Sequence, residues 1–186
     1  MNIIAGERKG AQLAAPQGMD TRPTQAKVKE SLFSIIQLYV PDAHVLDLFA
    51  GSGALALEAL SRGAQSAVMV DMNRDAAACI QKNVAKLRFE ERSQLLRCDW
   101  QQAIPRLKEQ KRRFDLVFLD PPYRMHMLGE CCRQLAQAAL LEEGCMLVLE
   151  HQTGVPAEPG AGFSLLKERA YGDTAIHFYL YEEEKP

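Results

Sequence analysis

Between residues 44 and 150 the sequence alternates short apolar runs with helical patterns, and few folds accommodate this order. The apolar runs predict five buried strands, at residues 44–48, 66–70, 93–98, 114–119 and 145–150. The patterns between them predict helices at residues 54–62 and 74–87, a short helix ending near 107, and a helix at about 126–139. Alternating strands and helices need crossover connections, so we expect a parallel sheet with helices on both faces.

The two ends of the chain have different patterns. Residues 163–169 and 175–180 flank a Tyr-Gly-Asp turn and predict an antiparallel hairpin, which extends the sheet to seven strands. Residues 2–5 and 11–13 enclose a glycine-flanked basic tip and predict a small N-terminal β-hairpin. Thr24 is predicted to cap the helix that follows, and Pro41 to end it. We therefore divide the chain into an N-terminal hairpin and helix extension, 1–40, and a main domain, 41–186.

Composition limits the class of protein. The chain is 47% hydrophobic and 25% charged with a formal charge of -2, so a nucleic-acid contact would have to be a local basic surface. Its five cysteines form no CxxC pair and its four histidines are scattered, so neither a disulfide framework nor a metal site is expected. The N-terminus has no signal pattern, and no apolar run approaches the ~20 residues of a membrane span. We expect a monomeric cytoplasmic protein.

A glycine loop joins the first parallel strand to its helix. Gly51, Gly53 and Ala56 fit the G-x-G-x-x-G/A pattern, and Asp71 lies 20 residues after Gly51, where an acid can bind ribose hydroxyls. By this spacing NAD and S-adenosylmethionine are both possible. Asp47 distinguishes them, because a carboxylate at the mouth of the loop opposes a pyrophosphate but suits the ammonium and sulfonium groups of S-adenosylmethionine.

The predicted cofactor site takes residues from three loops at one edge of the sheet. We place in it Asp47, Phe49, Ala50, Gly51, Ser52 and Gly53 of the glycine loop, Asp71 and Met72, and Cys98, Asp99 and Trp100. The last three follow the third strand, where the adenine should rest. Asp99 has a second interpretation of equal weight, as the N-cap of the next helix.

The catalytic loop is predicted to be Asp120-Pro121-Pro122-Tyr123, directly after the fourth strand. The exocyclic amine of a nucleobase is a poor nucleophile, because its lone pair is delocalised into the ring. The Asp120 carboxylate and the Pro121 carbonyl can accept both amine hydrogens and stabilise the charge that develops on nitrogen. Tyr123 can stack on the base. These residues predict methylation of an amino nitrogen.

With these motifs in place, the whole chain resembles the RsmD family of small-subunit ribosomal RNA guanine-N2 methyltransferases. The matching segments are Ile3-Ile4-Ala5-Gly6, Thr21-Arg22-Pro23-Thr24, and residues 28–33, 47–53, 57–64, 114–119 and 171–174. The resemblance implies a Rossmann-like α/β fold of the class I S-adenosylmethionine-dependent methyltransferases. It also implies that the substrate is one guanine of 16S rRNA in the small ribosomal subunit or an assembly intermediate.

Substrate contacts are expected near the N-terminus and the catalytic loop. We assign Arg8, Lys9, Arg22, Thr24, Lys27 and Pro122 to them, and Lys29 belongs to the same basic group. Guanine presents two adjacent N–H donors to one carboxylate, whereas adenine presents a donor beside an acceptor. Because similar loops also serve adenine-N6 and protein glutamine-N5 methyltransferases, those activities remain alternatives. A nicotinamide-dependent oxidoreductase and a non-catalytic RNA-binding module are the alternatives from other classes.

Overall fold

The computed structural model describes residues 1–16, 23–121, 127–155 and 158–183, with residues 23–25 described for the backbone alone. Its strands are β1 (His44–Asp47), β2 (Ser66–Val70), β3 (Ser93–Leu96), β4 (Phe114–Leu119), β5 (Leu141–Gln152), β6 (Phe163–Tyr171) and β7 (Thr174–Tyr181). Its α-helices are α1 (Pro23–Ile35), α2 (Ala54–Ser61), α3 (Arg74–Leu87), α4 (Trp100–Glu109) and α5 (Leu128–Gln137).

All seven strands form one sheet in the order β3-β2-β1-β4-β5-β7-β6. Strands β1 to β5 pair in parallel, whereas β7 runs antiparallel to β5 and to β6. This confirms the predicted seven-stranded, mostly parallel sheet with an antiparallel C-terminal hairpin. Strands β1 to β5 therefore end at one edge, which we call the carboxyl edge, and begin at the opposite amino edge.

Apolar side chains cover both faces of the sheet. One core contains residues of α1, α2 and α3, with Phe118 of β4 and Val148 of β5. The other contains residues of α4 and α5, with Val117 and Leu147 from the same strands. Successive residues of a strand point to opposite faces, so a strand buried on both sides is apolar throughout. The continuous apolar runs in the sequence of these strands follow from this burial.

The predicted start and the predicted end of the first helix are both wrong. The predicted N-cap Thr24 lies inside α1, which begins one residue earlier, at Pro23. Proline suits the first helical position, because its fixed φ is helical and its missing N–H would have no partner there. The helix also ends at Ile35, well before Pro41, in a turn that buries Ile36 and Val40. Burial of these two side chains, rather than the proline, sets this end.

The N-terminal segment packs on α2 and α3 and pairs with itself at one antiparallel bridge, between Asn2 and Gln12. Gly6 has a φ of 82°, and a Cβ atom there would lie 1.7 Å from the Ser61 carbonyl oxygen. A larger residue would therefore displace this segment from the end of α2. Because α2 and α3 run back from the carboxyl edge, the basic tip that follows Gly6 lies at the amino edge.

A buried charge cluster fixes this segment to α1 and α2. Glu58 of α2 is inaccessible to solvent and accepts hydrogen bonds from the backbone N–H groups of Ile4 and Ala5, at 2.8 and 3.0 Å. Its carboxylate also pairs with Lys29 Nζ at 2.9 Å and Arg62 Nε at 2.8 Å. The prediction that Lys29 belongs to a solvent-facing basic group is thus wrong, because its ammonium group is buried in this cluster.

Candidate active site

Four acidic residues gather at the carboxyl edge. Asp47 ends β1, Asp71 follows β2, Asp120 follows β4, and Glu150 lies near the end of β5. Their strands are neighbours in the sheet, so residues far apart in sequence share one crevice. Ligands of open α/β sheets bind outside the carboxyl ends of the strands. The sequence motifs therefore meet where such a site is expected, and the acids make it suitable for a cationic ligand.

The glycine loop folds tightly over the end of β1. Gly51 and Gly53 have φ values of 55° and 78°, a region that glycine enters with little strain. The loop is fixed by hydrogen bonds from Gly53 N to Ala50 O at 2.7 Å and from Ala50 N to Val70 O at 2.9 Å. A Cβ atom on Gly53 would lie 3.0 Å from the Met69 sulfur. Both glycines are therefore needed for the path of the loop.

Asp71 joins the glycine loop to the loop after β2. One carboxylate oxygen accepts a hydrogen bond from Gly51 N and the other accepts one from Asn73 N, each at 2.8 Å. A carboxylate oxygen has more than one lone pair, so Asp71 can still accept hydrogen bonds from a ligand. Next to it, the Met72 side chain is 71% exposed. Asp71 thus has a structural role in addition to its predicted contact with ribose.

Asp47 lies beneath the loop, with 2% of its surface exposed. Burial raises the pKa of its carboxyl group to about 7, and the charge of Asp71 acts in the same direction. Hydrogen bonds from the backbone N–H groups of Ala56 and Phe49 partly oppose the shift. Asp47 therefore stabilises the first turn of α2 and titrates near neutral pH. Its carboxylate lies below the loop instead of at its mouth.

Asp120 and Glu150 are neighbours at the carboxyl edge. The residues that precede them, Leu119 of β4 and Leu149 of β5, are partners in the sheet. Nearby protein atoms partly remove the Asp120 carboxyl group from water, and this raises its pKa well above the ordinary value. The Glu150 and Asp47 carboxylates raise the pKa further. The residue as a whole is exposed, so burial acts less than in a sealed core, but charge repulsion shifts the pKa in the same direction.

The catalytic loop is described in part. Pro121 is buried directly after Asp120, whereas Pro122 and Tyr123 lie outside the described residues. The sequence motif did not include Glu150, which is the charged residue that ends the apolar run of β5. An acid at the carboxyl end of the strand next to β4 was the signal that could have identified it.

The third predicted cofactor loop begins after β3. Asp99 is the N-cap of α4, since its carboxylate accepts a hydrogen bond from Gln101 N at 2.8 Å. This confirms the capping interpretation and leaves the contact with adenine as a prediction. Cys98 and Trp100 are buried in the core on the α4 and α5 face of the sheet. Any contact that these two make with a ligand would therefore involve little side-chain surface.

Of the predicted substrate residues, the structure describes the side chains of Arg8, Lys9 and Lys27. The Arg8 guanidinium donates to Leu87 O at 2.7 Å and lies over the Phe89 ring, at the amino edge. Lys9 is exposed in the same tip. Lys27 is exposed on α1, but the side chain of Thr24 and the whole of Arg22 lie outside the described residues. The N-terminal tip thus lies at the far edge from Asp120, because it packs against the C-terminal ends of α2 and α3.

Two features are absent from the described part of the chain. No group of three or more His, Cys, Asp or Glu side chains within it could hold a metal ion. No helix in these same residues is long and apolar enough to cross a membrane.

Known proteins resemble this chain along nearly its full length. Residues 1–180 match a family described as conserved hypothetical protein 95. Ribosomal RNA small subunit methyltransferase D of Escherichia coli K12 is 34% identical over 186 residues, which cover 99% of this chain and 91% of that relative. The protein of the same name from Haemophilus influenzae is 30% identical and covers 96% of this chain and 93% of its own length.

Solved structures share the fold. The structure of yhhF from Escherichia coli has a TM-score of 0.86 at 30% identity and covers 99% of both chains. SMU.776 complexed with SAH has a TM-score of 0.67 at 15% identity, covering 84% of this chain and 49% of the other. At that identity the second likeness concerns the fold alone.

Proposed function

The chain belongs to the ribosomal RNA small subunit methyltransferase D family, and on this premise we propose that it methylates the N2 amine of one guanine in 16S rRNA. The methyl donor is S-adenosylmethionine, and the RNA lies in the small ribosomal subunit or an assembly intermediate. The observation that best supports this proposal is the position of Asp120. It follows β4, which is next to β1 in the sheet, so it lies beside the glycine loop that follows β1. Family membership argues against the nicotinamide and non-catalytic alternatives.

The cofactor would lie along the carboxyl edge. Gly51, Ser52 and Gly53 let the backbone approach its methionine part, and Asp71 accepts hydrogen bonds from its ribose hydroxyls. The exposed Met72 side chain covers the adenine, and Asp99 accepts from the adenine amine. Phe49, Ala50, Cys98 and Trp100 shape the surrounding walls. The acidic crevice favours a cationic ligand, because an opposite charge stabilises each ionised carboxyl group.

Methyl transfer needs an oriented amine. Asp120 and the Pro121 carbonyl accept the two N2 hydrogens and direct the nitrogen lone pair at the methyl group. When bound, the cofactor would supply the methyl group from its sulfonium and leave as a neutral thioether, and the N2 nitrogen would carry the positive charge. The nitrogen then loses one proton, which Asp120 can accept and pass to solvent. Pro122 and Tyr123 hold the base, the latter by stacking.

Guanine suits this loop better than adenine. When Asp120 is ionised, its carboxylate offers acceptors alone. Guanine presents N1–H and N2–H side by side, which such an acceptor can bind together. Adenine presents a ring nitrogen lone pair beside its amine, and this lone pair would face the negative carboxylate.

RNA contacts are also proposed for Arg22, Thr24 and Lys27. Arg8 and Lys9 are proposed for a more distant backbone phosphate at most, since their tip lies at the amino edge. The N-terminal extension, 1–40, remains our proposed RNA-contacting part. The protein acts as a monomer, because a ribosomal subunit already provides an extended binding surface.

The direct test is to incubate the protein with labelled S-adenosylmethionine and small subunits that lack the modification. We expect label in 16S rRNA, recovered after digestion as N2-methylguanosine. Free 16S rRNA is the matched control and should be a poorer substrate. Label in adenine or in protein would establish one of the alternative activities instead, and absence of label would contradict the proposal.

Cofactor affinity should increase with pH. A bound cation favours the ionised form of Asp47, so binding releases a proton wherever Asp47 is protonated in the free protein. With a free-protein pKa of about 7, the dissociation constant should be about tenfold higher at pH 6 than at pH 8. Calorimetric titration with S-adenosylmethionine measures this, and Asp47→Asn should flatten the dependence. An affinity that falls as pH rises, or an equal slope in Asp47→Asn, would refute it.

A further inference from the structure

One face of α3 supports the N-terminal segment along its length. Cys79 and Asn83 lie one turn apart, and both contact Ala14: Cys79 Sγ donates to Ala14 O at 3.0 Å. One turn further along α3, Lys86 Nζ donates to Gln12 O at 2.7 Å. Asn83 differs from the other two because it also contacts the glycine loop, and its side chain is 1% exposed.

The Asn83 amide is fully used in this position. Its oxygen accepts a hydrogen bond from Ala14 N at 2.8 Å. Its nitrogen has two hydrogens and faces two carbonyl oxygens, Ala14 O and Ser52 O, each at 3.0 Å, with the Cys79 sulfur as a longer third contact at 3.6 Å. Carbonyl oxygens can only accept, and a backbone N–H can only donate, so these partners fix the orientation of the amide. Neither an aspartate nor a leucine can reproduce this set of bonds.

We propose that Asn83 is a positioning residue for the cofactor, which couples the N-terminal segment to the glycine loop through Ala14 and Ser52. This inference rests on the proposed role of the glycine loop in cofactor binding. Ser52 lies between two glycines with positive φ, where the backbone has unusual freedom. Fixing the Ser52 carbonyl from behind reduces the ordering that the loop undergoes when the cofactor binds. The N-terminal segment, far from the cofactor crevice at its tip, thereby contributes to cofactor affinity.

The experiment compares variants of Asn83 with a variant of Cys79 in the full-length protein. Asn83→Leu removes every bond, and Asn83→Asp keeps the acceptor for Ala14 N but loses both donors. Cys79→Ala is the matched control, because it removes the contacts of Cys79 with Ala14 O and with the Asn83 amide but keeps the bond from Asn83 to Ser52 O. We expect both Asn83 variants to raise the S-adenosylmethionine dissociation constant about tenfold, the upper range for one net hydrogen bond. Turnover at saturating cofactor should stay at the wild-type value, as should the affinity of Cys79→Ala.

Hydrogen exchange adds a measurement that lost stability alone would not mimic. Leu13 N donates to Met1 O, a bond that none of these variants removes. In the wild type, S-adenosylmethionine should slow exchange of the Leu13 amide. In Asn83→Asp that cofactor-dependent protection should disappear, although it persists in Cys79→Ala.

The outcomes separate this inference from the function on which it rests. A wild-type protein that does not bind S-adenosylmethionine would refute the proposed function. A wild-type protein that binds it, with Asn83 variants of equal affinity, would refute the role of Asn83. Equal losses in Cys79→Ala and Asn83→Asp would also overturn it, because docking of the N-terminal segment would then explain the effect without the bond to Ser52.

Discussion

Replacing Asp120 with alanine should lower the rate of methyl transfer about 100- to 1000-fold at saturating cofactor and RNA, the usual cost of removing one oriented group that stabilises a developing charge. The affinity for S-adenosylmethionine should remain close to that of the wild type, because Asp71 and the glycine loop provide the proposed cofactor contacts. Single-turnover methylation of small subunits measures the rate, and calorimetric titration measures the affinity.

Two further variants show whether a loss of rate comes from the charge of Asp120 or from any change in this strand. Asp120→Asn keeps one acceptor oxygen and removes the charge, so a loss nearly as large would show that charge on the carboxylate matters for the transition state. Asp115→Asn is the control on the same strand, since Asp115 accepts a hydrogen bond from His44 N at the amino edge. Its rate should be unchanged. Weakened cofactor binding in Asp120→Ala with normal turnover at saturation would contradict the assigned role.

Replacing Glu58 with alanine should lower the free energy of unfolding by about 3–5 kcal/mol, because it leaves the buried Lys29 cation without its carboxylate. Burial alone would raise the pKa of Glu58, but the Ile4 N–H, Lys29 and Arg62 outweigh it and hold this pKa below its usual value. The pKa of Lys29 is also lowered, since burial outweighs its single carboxylate and Arg62 repels it. The ionised Glu58 therefore stabilises the folded protein at neutral pH, and this contribution is lost as acid protonates it.

Urea unfolding at neutral pH measures the loss. Glu130→Ala is the control, because Glu130 pairs with Arg133 on the exposed surface, where loss of an ion pair has little effect on stability. The double variant Glu58→Leu with Lys29→Met removes both charges and should recover part of the loss. A change below that of Glu130→Ala, or a double variant less stable than Glu58→Ala, would show that the cluster does not hold the N-terminal segment.

The order of strands and helices along the chain was predictable, because each buried strand has its own apolar run and each helix its own periodicity. The glycine loop was predictable because positive φ angles at Gly51 and Gly53 restrict the residue type at those positions. Helix ends were less predictable. Thr24 was expected to cap α1 from its residue type, but Pro23 already begins the helix, and core contacts of Ile36 and Val40 decide where it stops.

The basic residues near the N-terminus show a different limit of sequence patterns. Arg8 and Lys29 read as solvent-facing cations, since local sequence contains no information on what surrounds them. In the structure Arg8 donates to Leu87 O and Lys29 pairs with Glu58, so both support the packing of the N-terminal segment. A basic residue in the sequence can indicate either a contact with RNA or a buried ion pair, and the residue type alone does not distinguish the two.

The sequence by itself determined the order of strands and helices along the chain and the positions of the glycine loop and the Asp120 loop, because these depend on residues within one strand and the turn after it. Tertiary structure alone decided that Glu150 lies beside Asp120, and that Asn83 joins Ala14, 69 residues away, to the glycine loop. It also placed the N-terminal tip at the edge opposite the active site. The physical reason is that strand order and helix direction bring distant segments together, and no local pattern records which partner a buried polar group will meet.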